Sequence, residues 1–387
     1  MGIESGAAPM HWRLSVLLVA ALVPLAVFWG NWQEGGLLAF PRFGEVFQPG
    51  QLAELRALNP PVFSTDGYDG QFYAQMALHP TLADPAMTEA LDNPSYRARR
   101  IGLPLLAATL GMGNPAVVLA AYSLLNFAFW MVLAWLLIFR YLHYSVRGLA
   151  TVLALLWSSG VVVSMDRALT DLPAAVLGLV AVHASGHART APWFMGFSAL
   201  VKDTSILSIA AFWPRFRSSC WPQRIGLAII LLAPVAAWAA YVFWRIPSGS
   251  PAGMGNFALP SLAWWDKMQT AAALLASAND GVPTVRLIRY LIEFAAPLCL
   301  AVQASYLLLR WRPNEPLWGF GIGFAALVLL IGPAVWAEFI AYTRVLLPLT
   351  IAFNLLLLRY QAGRSFWAWF IAGNWGMVGG LWLTFPL

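Results

Sequence analysis

The sequence predicts an all-α polytopic membrane protein. Three observations carry that prediction: 60% of the 387 residues are hydrophobic, only 10% are charged, and the mean hydropathy is +0.68. A water-soluble core cannot hide this much apolar surface, so lipid must solvate it. The 20 Trp and 23 Phe fit the same class, because amphipathic rings settle at headgroup level and large apolar rings face acyl chains. The net charge of +6 does not point to nucleic acid, since the basic residues fall singly between apolar runs. With only Cys220 and Cys299 there is neither a disulfide framework nor a CxxC metal site. Lys202 and Lys267 are the only lysines among the 23 basic residues, a bias toward Arg that points to GC-rich, bacterial coding.

The first apolar run, 14–31, follows His11-Trp12-Arg13 and is long enough to cross a hydrocarbon core of roughly 30 Å. It is expected to be an uncleaved anchor rather than a signal peptide, because no Ala-x-Ala site follows it. Residues 32–100 form the long polar stretch and are expected to be a folded extracytoplasmic loop carrying the candidate active site. The apolar piece 101–110 is too short to span. Spans are expected at 116–139, 148–165, 169–183, 225–244, 288–309, 317–336, 345–358 and 366–385, with a second extracytoplasmic loop at 245–287.

Residues 191–213 form a single span or a hairpin turning at Lys202-Asp203. Short loops rich in Lys and Arg stay in the cytoplasm, and with the hairpin every such loop falls on the side of Arg13. That side then holds eleven basic residues against two acids, Glu4 and Glu315. The hairpin is therefore expected, giving about eleven membrane segments, some of half length, in one domain over 1–387 with a cytoplasmic N-terminus and an outer C-terminus. No phosphate-binding glycine motif and no internal repeat is visible.

This topology gathers charge on the outer face: Asp66 and Asp69 with Tyr68, Gln71 and Tyr73; Arg97, Arg99 and Arg100; Asp166, Arg167 and Asp171; Lys202 and Asp203; Glu338 and Arg344. Charges near membrane depth are costly unless paired or lining a wet cavity, so this cluster is the expected functional site. Structural alternatives stand beside it. Asp66 and Asp69 flank Gly67 and Gly70 and could be turn residues. Asp166 and Asp171 could be helix caps, and the three arginines could snorkel instead of binding phosphate. His183 and His187 have the i, i+4 spacing of a zinc pair but no third ligand nearby. Glycines 319, 321 and 323, like 376 and 380, are expected to allow close helix packing.

The arrangement resembles the GT-C superfamily of membrane glycosyltransferases. The resemblance rests on Tyr68-Asp69-Gly70-Gln71-Phe72-Tyr73, Arg99-Arg100-Ile101-Gly102-Leu103-Pro104, Asp166-Arg167 to Asp171-Leu172-Pro173, Leu200-Val201-Lys202-Asp203-Thr204 and Arg344-Val345-Leu346-Leu347-Pro348. Gly70 departs from the pattern, since many members carry an acidic residue there. The resemblance implies transfer of a sugar from a polyprenyl-phosphate donor to a glycan, lipid or protein acceptor at the outer face of the bacterial cytoplasmic membrane. Asp69 would then be the general base, Asp66 a second catalytic carboxylate, and the cations would stabilise the leaving phosphate. A divalent cation stays open as cofactor, and no nucleic acid is expected as partner. A polysaccharide polymerase or ligase, or a non-catalytic or transport component of surface-polysaccharide assembly, is the alternative.

Overall fold

The computed structural model describes residues 9–186, 190–246, 254–277 and 283–378. Helix dominates throughout, and the chain is an all-α, multi-pass membrane protein. Helix α1 (Met10–Gly35) shows why. Its 26 residues reach about 39 Å at 1.5 Å per residue. Leu14, Leu18, Leu22, Leu25 and Trp29 all stand exposed, while Val16, Ala20, Val27 and Asn31 are buried. Steps of three and four place each set on one face, so an apolar stripe meets lipid and a second face meets the protein.

After α1 the chain makes a compact polar region. Its frame is a two-residue parallel pairing of Phe43–Gly44 with Val62–Phe63 and helix α2 (Gly70–Leu78). Helix α3 (Gly102–Gly111) is ten residues long. Helix α4 (Pro115–Leu136) starts cleanly because Asn114 accepts hydrogen bonds from the amides of Ala116 and Val117, with Pro115 in the first turn. The expected span 148–165 is present as one candidate crossing, Val146–Asp166, made of two helices, α5 (Val146–Leu156) and α6 (Ser159–Asp166). Trp157 and Ser158 leave helical geometry between them.

Helix α7 (Asp171–His183) and helix α8 (Ala191–Val201) follow. The chain then breaks at Lys202, whose backbone is extended, and continues as a ten-residue 3-10 helix, Asp203–Phe212. Helix α9 (Trp221–Arg245) exposes Trp221, Ile225, Ile229 and Leu232 at steps of three and four, the mark of a helix facing lipid. The connection expected over 245–287 contains a helix, α10 (Leu262–Ala276).

The remainder is α11 (Thr284–Leu309), α12 (Pro316–Leu330), α13 (Phe339–Val345), α14 (Leu347–Tyr360) and α15 (Gly363–Val378). The expected end of the last span, beyond 378, lies outside the described residues, as do Glu4, His187, Arg189 and Gly380.

Among the described residues five helical stretches are long and apolar enough to cross a membrane, α5 and α6 together counting as one, and six if α13 and α14, bent by 58° at Leu346, count as one span. The bend has a local cause, since Pro348 sits in the first turn of α14 and a proline there cannot continue the preceding ladder. Apolar helices α3, α7, α8 and α12 fall short of that length. The core contains nearly all of α14, and glycines of α12 bring backbones together there: a Cβ on Gly321 would stand 2.3 Å from that of Ala352.

Candidate functional site

Asp69 occupies the residue before α2, at the end of a loop that Gly67 turns with φ +69°. Gln71 fixes this loop. Its side-chain oxygen accepts from the amide of Gly44 at 3.0 Å and its amide donates to the carbonyl of Asp66 at 2.8 Å. A Cβ on Gly70 would stand 2.2 Å from the carbonyl oxygen of Arg167. That close approach accounts for glycine at a position where the resemblance leads one to expect an acid.

Four distant segments converge on Asp69. One carboxylate oxygen pairs with Arg97 at 2.8 Å and the other with Arg344. Arg344 turns its second terminal nitrogen to Asp171 at 3.1 Å, and Asp171 also pairs with Lys202. Arg97 holds Asp92 through two hydrogen bonds of 2.8 and 2.7 Å. Arg100 donates to the hydroxyls of Tyr73 and Tyr96 at 2.6 and 2.7 Å and pairs with Asp203 at 3.3 Å. Arg97, Arg100, Asp171, Lys202 and Arg344 are all buried. Burial by itself would raise the Asp69 carboxyl, but Arg344 and then Arg97 outweigh it and hold that group below the ordinary carboxylate range.

Beside this network lies a cavity of about 700 Å³, whose lining includes Asp66, Asp69, Arg97, Arg99, Arg100, Lys202, Glu338 and Arg344. Arg99 is exposed there and has no ion-pair partner among the described residues. Asp66 and Glu338 are likewise exposed on the cavity and make no salt bridge among the described residues. The site can therefore take an anionic group against Arg99 and its neighbours while offering carboxylates around it.

The structural alternatives separate residue by residue. Asp171 binds Lys202 and Arg344 rather than capping its helix. Arg97 and Arg100 are buried and not snorkelling, while Arg99 alone of the three is exposed. Tyr73 is fully buried behind the wall, where its hydroxyl accepts from Arg100. Asp166 and Arg167 face a different cavity, of about 550 Å³, which shares only Gly67 and Tyr68 with the first. Among the described residues no group of three or more His, Cys, Asp or Glu is placed to hold a metal. His183 sits against the ring of Tyr141, and His187 lies outside the described residues.

Sequence reasoning missed Asp92, Tyr96 and Asn256. Tyr96 is four residues before Arg100, a helical spacing that brings them together. Asn256, which donates to the Tyr96 hydroxyl at 3.4 Å, comes from the connection after α9 and carried no signal. That connection is held in place by Ala258 and Gly332 amides bonding to Leu330 and Asn256 carbonyls at 3.0 and 2.7 Å. No protein-family model, curated protein or solved structure matches the chain.

Proposed function

We propose that this chain is a GT-C-type membrane glycosyltransferase, which moves a sugar from a polyprenyl-phosphate donor to an envelope glycan, lipid or protein acceptor. The observation that carries the reading is Asp69, held between Arg97 and Arg344 at the wall of a cavity where Arg99 remains unpaired. A charged group poised beside several cations in a partly water-excluded pocket is what displacement at a phosphorylated anomeric carbon requires. In that reaction the acceptor oxygen bonds to the anomeric carbon, the bond to the phosphate oxygen breaks, and the hydroxyl proton passes to a carboxylate.

Asp69 is that carboxylate in this reading, and its pairing makes it conditional. With both oxygens taken and its proton affinity depressed, it is a weak base. A donor phosphate arriving at Arg344 or Arg97 competes for the guanidinium, releases one Asp69 oxygen and raises its proton affinity, so the base is activated when donor is present. The proposed orientation has a cytoplasmic N-terminus, about eleven membrane segments and a cavity open to the exterior of the bacterial cytoplasmic membrane, where lipid carriers and not nucleotide sugars are found.

The test is the surface-polysaccharide profile of a deletion strain complemented with wild type or Asp69→Asn. Wild type alone should restore the glycan, with both proteins present in the membrane in equal amount. Equal rescue by both overturns the assignment of Asp69 and favours an assembly or transport role.

A further inference from the structure

The geometry points to a second binding site, in the cavity behind Tyr68, for an uncharged, hydroxyl-rich headgroup such as a sugar. Gly67 and Tyr68 line both cavities, and Asp69 lines only the larger one, so a single residue's ring stands between the two spaces. The smaller cavity measures about 550 Å³, within the range of small-molecule sites.

Its charges are already matched. Arg42 pairs with Glu34 and lies 3.5 Å from Asp166. Arg167 lies 3.7 Å from Asp166 and 4.3 Å over the Tyr68 ring. Two cations thus face two carboxylates, with the Arg167 Nε free of any hydrogen bond, so the lining carries no net positive charge for a phosphate, in contrast to Arg99 in the larger cavity. What remains is a wall of hydroxyls, amide and paired charge, in which Ser64 and Thr65 alternate with apolar Val27 and Phe63. Asn31 donates to Asp166 at 2.9 Å, yet its side-chain oxygen is buried with no partner. Sugar hydroxyls both donate and accept, and so suit such mixed walls better than a one-signed ion does. Helix α1 supplies one side through Ala26, Val27 and Gly30, next to its lipid-facing stripe, which suits a headgroup carried on a lipid. That this headgroup is the acceptor rests on the glycosyl-transfer reading; that the cavity binds it does not.

Gly30 offers a way to fill the cavity without breaking the fold, because a Cβ there meets nothing within 4 Å and the helix gains by losing a glycine. The experiment uses full-length protein in membrane vesicles, with Cys220→Ser and either Thr65→Cys in the smaller cavity or Ala334→Cys, which lines the larger one, and follows maleimide labelling. The probes are hexyl glucoside, galactoside and mannoside, and farnesyl phosphate. At least one glycoside should slow labelling of Thr65→Cys by about tenfold, the protection given by nine-tenths occupancy, and Gly30→Phe should remove that protection. Farnesyl phosphate should protect Ala334→Cys and leave Thr65→Cys unchanged. Protection of Thr65→Cys by farnesyl phosphate, or by none of the probes, overturns the inference. If the glycoside pattern holds while Asp69→Asn restores the surface glycan, the site stands and the transfer reading falls.

Discussion

Asp171 answers for two cations at once, Lys202 and Arg344, with its side chain 1% exposed. Removing it leaves Lys202 without its buried counter-charge and Arg344 with Asp69 alone. Asp171→Ala should therefore lower stability by about 3–5 kcal/mol, read as a loss of thermal stability in detergent, and an undiminished melting transition would show the pairs to be dispensable. Asp69 behaves differently with pH. Its folded carboxyl lies below its unfolded value, so its stabilisation is complete above the ordinary carboxylate range and lost only as pH falls through that range and beyond. Stability should thus be insensitive to Asp69→Asn at strongly acid pH and sensitive to it at neutral pH. Gly70→Ala forces a Cβ against the Arg167 carbonyl at 2.2 Å and should displace α2, with loss of folded yield. The sequence showed that these residues were chemically suited to a site. It could not show that Arg344 meets Asp69 across 275 positions, because no local period links them.

Elements were legible in proportion to how far hydropathy alone decides them. Helices α1, α4, α9 and α11 announce themselves by length and apolar content. The break between α5 and α6 does not, since Trp157-Ser158-Ser159-Gly160 interrupts the helix at little cost in hydropathy. Helix α10 was hidden for the opposite reason: Asp266, Lys267 and Gln269 lower its apolar content, and Lys267 is satisfied by Glu293 at 2.5 Å. The glycines of α12 carried a clearer signal, and their close contacts make a prediction of their own. Gly321→Val drives a side chain into Ala352 at 2.3 Å, and overpacking of this kind should cost about 1–3 kcal/mol. An unchanged melting transition would mean that α12 and α14 slide apart freely.

For the molecule as a whole, the exposed stripes of α1 and α9 are surfaces that water would not tolerate and lipid accepts. Which end of those stripes is outside is a proposal resting on the placement of basic residues, and it can be checked directly. Cysteines placed at Thr204 and at Gln361 should react with an impermeant reagent from opposite sides of sealed vesicles. Reaction of both from the same side would remove the turn at Lys202-Asp203 and invert everything after it. The pairing of Asp69 with Arg344 has a further consequence, in time rather than in space. A chain emerging from the ribosome presents Asp69 and Arg97 early and Arg344 only after most of its membrane helices have been inserted. Until then Asp69 and Asp171 lack the guanidinium that joins them, and the two cavities lack their shared boundary in final form. The charge network is thus completed by nearly the last helices to enter the bilayer, and a nascent or truncated chain carries its first motifs without the partners they meet in the folded chain.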